Sequence, residues 1–321
     1  MVNWKKLGKI LYDGPLNYEP YEKWEESYDE GDLGQALLEL NKKLSSKPKN
    51  TTLLDFKATV LEEMGRFDEA KQCYDAILKL KPKNRDALIN KSRILVEEDE
   101  EFLEGLGVIE EYLKIRKRFD PKASTLKARA LFELGKHAQS LKMCNEIIEK
   151  NSNDLDTIQL QSEIFYHQKN YKKSLQMIEK LIKLDPMNMV LMNEKSNVLI
   201  KLKRFEDSIK NSDRILSIDS ADKIAWANKG EALFESGNTE QALRCLDNAV
   251  KFGSIYDAAW YEHARILSKL ERYEDALDSL VVAVSIGADF EGDLNKEPAF
   301  KKLHDNKRFK KILDKYNDQI N

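Results

Sequence analysis

The sequence predicts an all-α protein, a solenoid of about eight antiparallel helix pairs. Residues 223–256 return as residues 257–290: Trp226 as Trp260, Leu233 as Leu267, Ala242 as Ala276, Leu246 as Leu280 and Ala249 as Ala283, each pair 34 residues apart. Self-similarity at such a period marks a supersecondary unit that buries its apolar face only by stacking on its neighbours. The composition agrees, since 34% of the 321 residues are charged and only 13 are glycine and 7 proline, a helix-favouring balance. No segment alternates apolar and polar residues in the way a half-buried strand would.

Residues 1–16 predict an N-terminal capping helix, with Trp4, Leu7 and Leu11 on one face and Gly14-Pro15 as the stop. The repeat frame then gives units at 17–50, 51–84, 85–120, 121–154, 155–188, 189–222, 223–256 and 257–290, the third being two residues longer. Frame position 8 is small in seven of the eight units (Ala58, Ser92, Ala128, Ser162, Ser196, Gly230 and Ala264; Trp24 is the exception). Position 20 is small in all eight: Ala36, Ala70, Gly105, Ser140, Ser174, Ser208, Ala242 and Ala276. Small residues at matched points let two helices approach closely, so each unit reads as helix A, turn, helix B. Gly31, Gly65, Gly135 and Gly237 stand where helix A must end in a left-handed residue, whereas Lys169, Lys203 and Glu271 stand there in other units. Pro48, Pro82 and Pro186 separate one unit from the next. Residues 291–321 leave the frame. Phe300, Leu303, Phe309, Ile312 and Leu313 form an apolar stripe beside Lys301, Lys302, Lys307, Arg308, Lys310 and Lys311, and a C-terminal basic amphipathic cap is the reading preferred over a membrane-surface or docking helix.

The small residues at positions 8 and 20, Trp226 and Trp260 at position 4, and the unit ends KPKN, KPKN and DPMN resemble the tetratricopeptide repeat family over residues 17–290. The resemblance implies a right-handed superhelix whose A helices line a concave groove for a protein or peptide ligand. Chaperone-binding members clamp a carboxylate with lysines, asparagines and an arginine. Asn197 and Asn228 match the two asparagines, but Asn193, Ala258 and Glu262 stand where cations are required, so that clamp is not expected.

Enzymatic chemistry finds no foothold. His137, His167, His263 and His304 fall at unrelated frame positions with no metal-ligand spacing, and there is no phosphate loop, dinucleotide fingerprint or GxSxG elbow. Cys73, Cys144 and Cys245 are odd in number and unpaired in spacing, and read as reduced apolar residues. No catalytic site, cofactor or metal is predicted. Residues 1–16 carry charge through their apolar stretch, and no window approaches a membrane span, so a cytoplasmic protein with no membrane partner is expected.

Helix geometry assigns the groove to positions 2, 5, 9 and 12, with 6 and 13 beside them. In the first three units these positions hold eight acids against one base, and in the last five, seven against five. The near-neutral net charge of −3 therefore hides an acidic N-terminal groove, and a basic ligand is expected there. The candidate contacts are Tyr21, Glu25, Tyr28, Asp55, Thr59, Glu62, Asn90 and Arg93 in that half. Arg129, Phe132, Tyr166, Asn193, Asn197, Asn228 and Glu231 continue the set beyond it. Position 12 reads Val96, Phe132, Tyr166, Ile200 and Phe234, which is either packing between units or a row of apolar ligand contacts. The functional expectation is a non-enzymatic protein-interaction scaffold. A regulatory or accessory subunit of an enzyme or chaperone complex is the alternative. An RNA-binding helical repeat would need cations along the groove and is not favoured, so no nucleic-acid partner is expected.

Overall fold

The computed structural model describes residues 23–116, 118–287 and 294–320, so the expected N-terminal helix and Tyr21 lie outside the described residues. Among these residues every regular element is helical, and no helix is long and apolar enough to cross a membrane. The chain divides into two compact units, residues 1–143 and 144–321. The first contains α1 (Lys23–Asp29), α2 (Leu33–Ser46), α3 (Thr51–Glu63), α4 (Phe67–Leu80), α5 (Arg85–Glu97), α6 (Phe102–Ile115) and α7 (Pro121–Glu133). The division falls inside α8 (His137–Lys150). The second contains α9 (Leu155–His167), α10 (Tyr171–Leu184), α11 (Met189–Lys201), α12 (Phe205–Ile218), α13 (Lys223–Glu235), α14 (Thr239–Phe252), α15 (Asp257–Lys269) and α16 (Tyr273–Ser285). Two 3₁₀ segments (Leu294–Lys296 and Pro298–Leu303) and α17 (Lys307–Ile320) complete it. Odd-numbered helices up to α15 are the A helices of the pairs.

Six of the A helices start on a side-chain cap at the last frame position, whereas Tyr256 before α15 makes no such bond. The Oδ1 atoms of Asn50, Asn84 and Asn188 accept from backbone N–H groups of the first turns of α3, α5 and α11, and Asp120, Asp154 and Asp222 do the same for α7, α9 and α13. The asparagine that ends KPKN and DPMN is therefore a helix initiator, supplying an acceptor to otherwise orphaned donors. Each A helix ends in a left-handed residue. Gly65 and Gly237 take φ of +70° and +92°, but Lys169, Lys203 and Glu271 adopt the same conformation at +58°, +57° and +61°. The hydrogen bond that closes the turn is the same in both cases: Arg66 N–H donates to the Leu61 carbonyl at 2.8 Å, and Arg204 N–H to the Leu199 carbonyl at 2.9 Å. Glu100, after α5, is left-handed too at +55°, so four turns carry backbone strain that glycine would relieve.

The pair is held where its two helices cross. Ala58, Ala70, Ala128, Ala242, Ala264 and Ala276 are fully buried there. Where serine replaces alanine its hydroxyl is satisfied across the crossing: Ser140 Oγ donates to the Ala128 carbonyl at 2.6 Å, and Ser208 Oγ to the Ser196 carbonyl at 3.0 Å. At Gly230 a methyl group would lie 2.8 Å from Leu246 Cγ and 3.3 Å from the Ala242 carbonyl.

Adjacent pairs are joined by a polar contact that recurs at frame positions 25 and 7. Lys91 Nζ meets Asp75 at 2.9 Å, Lys127 meets Glu110 at 2.8 Å, Lys195 meets Glu179 at 2.9 Å and Lys229 meets Asp213 at 2.6 Å. Gln161 donates to Asn145 at 2.8 Å in the same place, and His263 Nε2 faces Asp247 at 3.1 Å. At the end of the second unit Phe300, Leu303, Phe309 and Ile312 bury the apolar face of the last pair together with Leu277, Leu280 and Val284. Lys302 pairs with Glu271, and Arg308 with Glu274 and Asp278 of α16.

Two substitutions test these contacts. Ala242→Leu should overpack the α13–α14 crossing and cost about 1–3 kcal/mol, read as a lower melting temperature. Lys203→Gly should release the strained turn after α11 and stabilise by roughly 0.5–1 kcal/mol, read as a higher one.

Candidate partner-binding site

In the first unit the A-helix face is built by α1, α3, α5 and α7. Asp55, Thr59 and Glu62 follow one another at intervals of four and three along α3, so they share a face, and Asp86, Asn90 and Arg93 do so on α5. Glu62 is the hub: its carboxylate takes the guanidinium of Arg93 and accepts from Tyr74 Oη at 2.7 Å. Asn90 also bonds the Tyr74 hydroxyl. Arg93 reaches Glu97 at 3.9 Å and Glu98 at 3.8 Å as well, so one cation serves three carboxylates. Asp55 has no such relief. Burial, reinforced by Asp86 and Glu62, pushes its carboxyl above the usual range. Thr59 Oγ1 donates back to the Asp55 carbonyl at 3.2 Å. Tyr28 Oη donates to Glu63, bridging α1 to α3, and burial followed by Glu63 drives its hydroxyl pKa upward. Glu25 is half-buried on α1. Arg129 of α7 lies 3.7 Å from Glu133 and sits over the Phe132 ring.

The second unit uses its A-helix face differently. Tyr166 Oη donates to Asn197 Oδ1 at 3.4 Å, and Gln159 Nε2 donates to Glu194 at 3.1 Å, joining α9 to α11. Asn193 Nδ2 reaches the Asp222 carboxylate at 3.3 Å, while Asn228 Nδ2 donates to the Asn193 carbonyl at 3.2 Å, joining α11 to α13. Both asparagines are buried, at 6% and 7% exposure, and so is Phe132, at 7% and in ring contact with His137. The side chains of these three are taken up in packing between helices. Val96 and Ile200 of the position-12 line are buried too, which decides for packing at those two points. Tyr166, Asn197 and Glu231 remain partly exposed.

Sequence reasoning did not single out the cluster at the end of this unit. Arg265 lies 2.7 Å from Glu262, 3.2 Å from Glu235 and 3.4 Å from Glu297, with its guanidinium over the Phe234 ring. It floors a cavity of about 470 Å³ lined also by Ser268, Lys269, Glu271 and Lys302. Burial pushes the Glu262 carboxyl up to about 8 against the pull of Arg265, with Glu231 and Glu297 adding to the rise. Glu262 and Arg265 sit at frame positions 6 and 9, which is the signal that could have found them. Glu297 lies outside the frame and offered none.

One constellation has the look of a hydrolytic triad. His263 Nδ1 is 2.9 Å from Ser279 Oγ, and Nε2 faces Asp247. Ser279, however, is 3% exposed in the middle of α16, and its hydroxyl donates at 3.0 Å to the Asp275 carbonyl of its own helix. No backbone N–H is left there to receive an oxyanion. His263 does the work that lysine does in the other pairs. Among the described residues no group of three or more His, Cys, Asp or Glu side chains could hold a metal ion.

Residues 52–84 and residues 224–289 each match a model of the tetratricopeptide repeat. No curated protein matches the sequence. Among solved structures the chain is similar to a tetratricopeptide repeat protein from Parabacteroides merdae, with a TM-score of 0.65 and 15% identity over 84% of this chain and 99% of that one. It is similar to yeast Tom70, with a TM-score of 0.56 and 15% identity over 96% of this chain and 67% of that one. It is also similar to PilW, a type IV pilus biogenesis factor, with a TM-score of 0.54 and 12% identity over 60% of this chain and 89% of that one. At such identities the likeness is one of fold.

The Glu262 cluster has a pH signature. A carboxyl whose folded pKa is raised stabilises the fold fully below its unfolded value of 4.5, and that stability is lost as the pH rises through about 8. The wild-type melting temperature should therefore fall between about pH 5 and about pH 8, and Glu262→Gln, which carries no charge at either pH, should flatten that fall.

Proposed function

Because the chain is a tetratricopeptide-repeat protein, we propose that it is a non-enzymatic scaffold that holds a basic segment of a partner protein on the A-helix face of its first unit. The observation that carries this reading is the imbalance around Glu62. On α3 and α5, among the described residues, Asp55, Glu62, Asp86 and Glu97 share one face with a single cation, Arg93, and Asp55 is already held above its usual range by burial and by Asp86 and Glu62. Lysine or arginine side chains delivered by a ligand would relieve that crowding, and a partly desolvated carboxylate rewards a cation more than a fully hydrated one does. Asn90, Thr59 and Glu25 would flank the segment, and Arg93 would set its register by excluding a cation at that point. In the second unit Tyr166, Asn197 and Glu231 are the remaining polar contacts on offer. A cytoplasmic setting belongs to the same reading, supported by Cys73, Cys144 and Cys245, which all pack as buried free thiols.

The test is fluorescence anisotropy with a labelled lysine- and arginine-rich peptide and an acidic peptide of equal length. The basic peptide should bind and the acidic one should not, and binding should weaken as added salt shortens the screening length below about 10 Å. The triple variant Glu25→Lys, Asp55→Asn, Asp86→Lys should lose at least about tenfold in affinity and most of the salt dependence. Equal affinity of wild type and variant would refute the assignment.

A further inference from the structure

Frame positions 13–19 span the turn from helix A to helix B and the start of helix B. In every other pair the acids there equal or outnumber the bases: Glu63, Asp68 and Glu69 stand with Arg66, for instance, and Glu235 and Glu240 stand with no base. The stacked pairs α9–α10 and α11–α12 reverse that balance. Residues 167–173 hold Lys169, Lys172 and Lys173 and no acid, and residues 201–207 hold Lys201, Lys203 and Arg204 against Glu206 and Asp207. Four residues further along each of the four helices the only charges added are Glu163 and Lys210, so the excess is not cancelled nearby. The two turns are neighbours. Tyr171 at the start of α10 and Leu202 in the turn after α11 pack on one apolar cluster with Leu175 and Leu199.

Few of these cations are engaged. Arg204 is held by Asp207 at 2.7 Å, and Lys173 Nζ lies over the Phe165 ring at 5.2 Å. Lys169, Lys172 and Lys203 are exposed, and among the described residues their ammonium groups make no hydrogen bond or ion pair. Two local rules are broken to place them. Lys169 and Lys203 are left-handed where glycine would be unstrained. Lys172 and Lys173 stand in the first turn of α10, at the positive end of its dipole, where α12, α14 and α16 place acids. Local rules broken without a packing gain are expected where a surface is kept for a ligand.

We propose that this pair of turns binds a phosphorylated segment of a partner protein. Charge calls for an anion, and the groups on offer decide its kind. The only guanidinium is occupied by Asp207, so the paired fork that grips a carboxylate is missing. What remains is a set of ammonium point charges on flexible stems. These suit a phosphoryl group, which carries nearly twice the charge of a carboxylate and three acceptor oxygens that several lysines can share. A nucleic-acid duplex or a membrane surface fits less well. The next turn of the array, residues 235–241, holds Glu235 and Glu240 and would repel a longer polyanion, and neither lysine-bearing segment exposes a large hydrophobic side chain to insert. The surface is separate from the acidic face of the first unit, so either reading can fail without the other.

Fluorescence anisotropy on the full chain, with a labelled peptide carrying two phosphoserines, tests the proposal. The phosphopeptide should bind at least about tenfold more tightly than the same peptide with serines, or with glutamates, in their place. Lys169→Gly with Lys203→Gly separates binding from folding. Glycine relieves both turns, so the melting temperature should rise while affinity for the phosphopeptide falls at least about tenfold. Lys183→Ala with Lys251→Ala removes the same charge from the far ends of α10 and α14 and should leave affinity unchanged. A phosphopeptide that binds no better than its unmodified form overturns the proposal. So does a glycine variant that binds like wild type, or a Lys183, Lys251 variant that loses as much. Tighter binding of duplex DNA or of phosphatidylserine vesicles than of the phosphopeptide would assign the turns to that polyanion and overturn it too.

Discussion

The architecture depends on one steric constraint, the crossing of the two helices within each pair. Thirteen- and fourteen-residue helices are too short to be stable alone in water, and they persist because a pair can bring its backbones together over Gly, Ala or Ser. Gly230 against Ala242 and Ser140 against the Ala128 carbonyl are two solutions to the same closeness. Once the crossing is fixed, Leu, Ile and Phe side chains around it fill the pair's core, and the direction in which every other residue points follows from helical spacing.

Stacking the pairs requires a second, weaker device, and the contact between frame positions 25 and 7 supplies it. Lysine paired with an acid is the usual form, Gln161 with Asn145 is a neutral one, and His263 with Asp247 is a third. That a histidine can replace a lysine explains why a triad-like arrangement arises with no catalytic surroundings. The A-helix face adds bridges of its own, from Arg93 to Glu62, from Tyr166 to Asn197 and from Asn228 to Asn193. The same positions therefore hold the array together and present a surface, and the division of labour differs between units. In the first unit acids outnumber what Arg93 can satisfy. In the second Asn193 and Asn228 are used up.

Much of this was legible in the sequence because the crossing tolerates so few residue types. A position restricted to Gly, Ala or Ser in every unit is visible without any knowledge of its neighbours. Which groove residues remain available was not legible, since Asn193 and Asn197 look alike in a sequence. Burial of Asn193 at 6% exposure, with the Asp222 carboxylate at 3.3 Å, distinguishes the first from the partly exposed second. The asparagine ending KPKN was visible as a motif, but its role as a cap needed the backbone of the following turn. The Arg265 cluster depended on Glu297, which the chain brings back from beyond the repeats.

The central claim is that the chain recognises a basic segment through the carboxylates of α3 and α5. Hydrogen–deuterium exchange of the full chain, with and without a saturating lysine- and arginine-rich peptide, tests it most directly. The account predicts that added protection is concentrated in α3 and α5, with the B helices α4 and α6 little changed. Protection confined to the second unit, or absent throughout while the peptide remains bound, would contradict it.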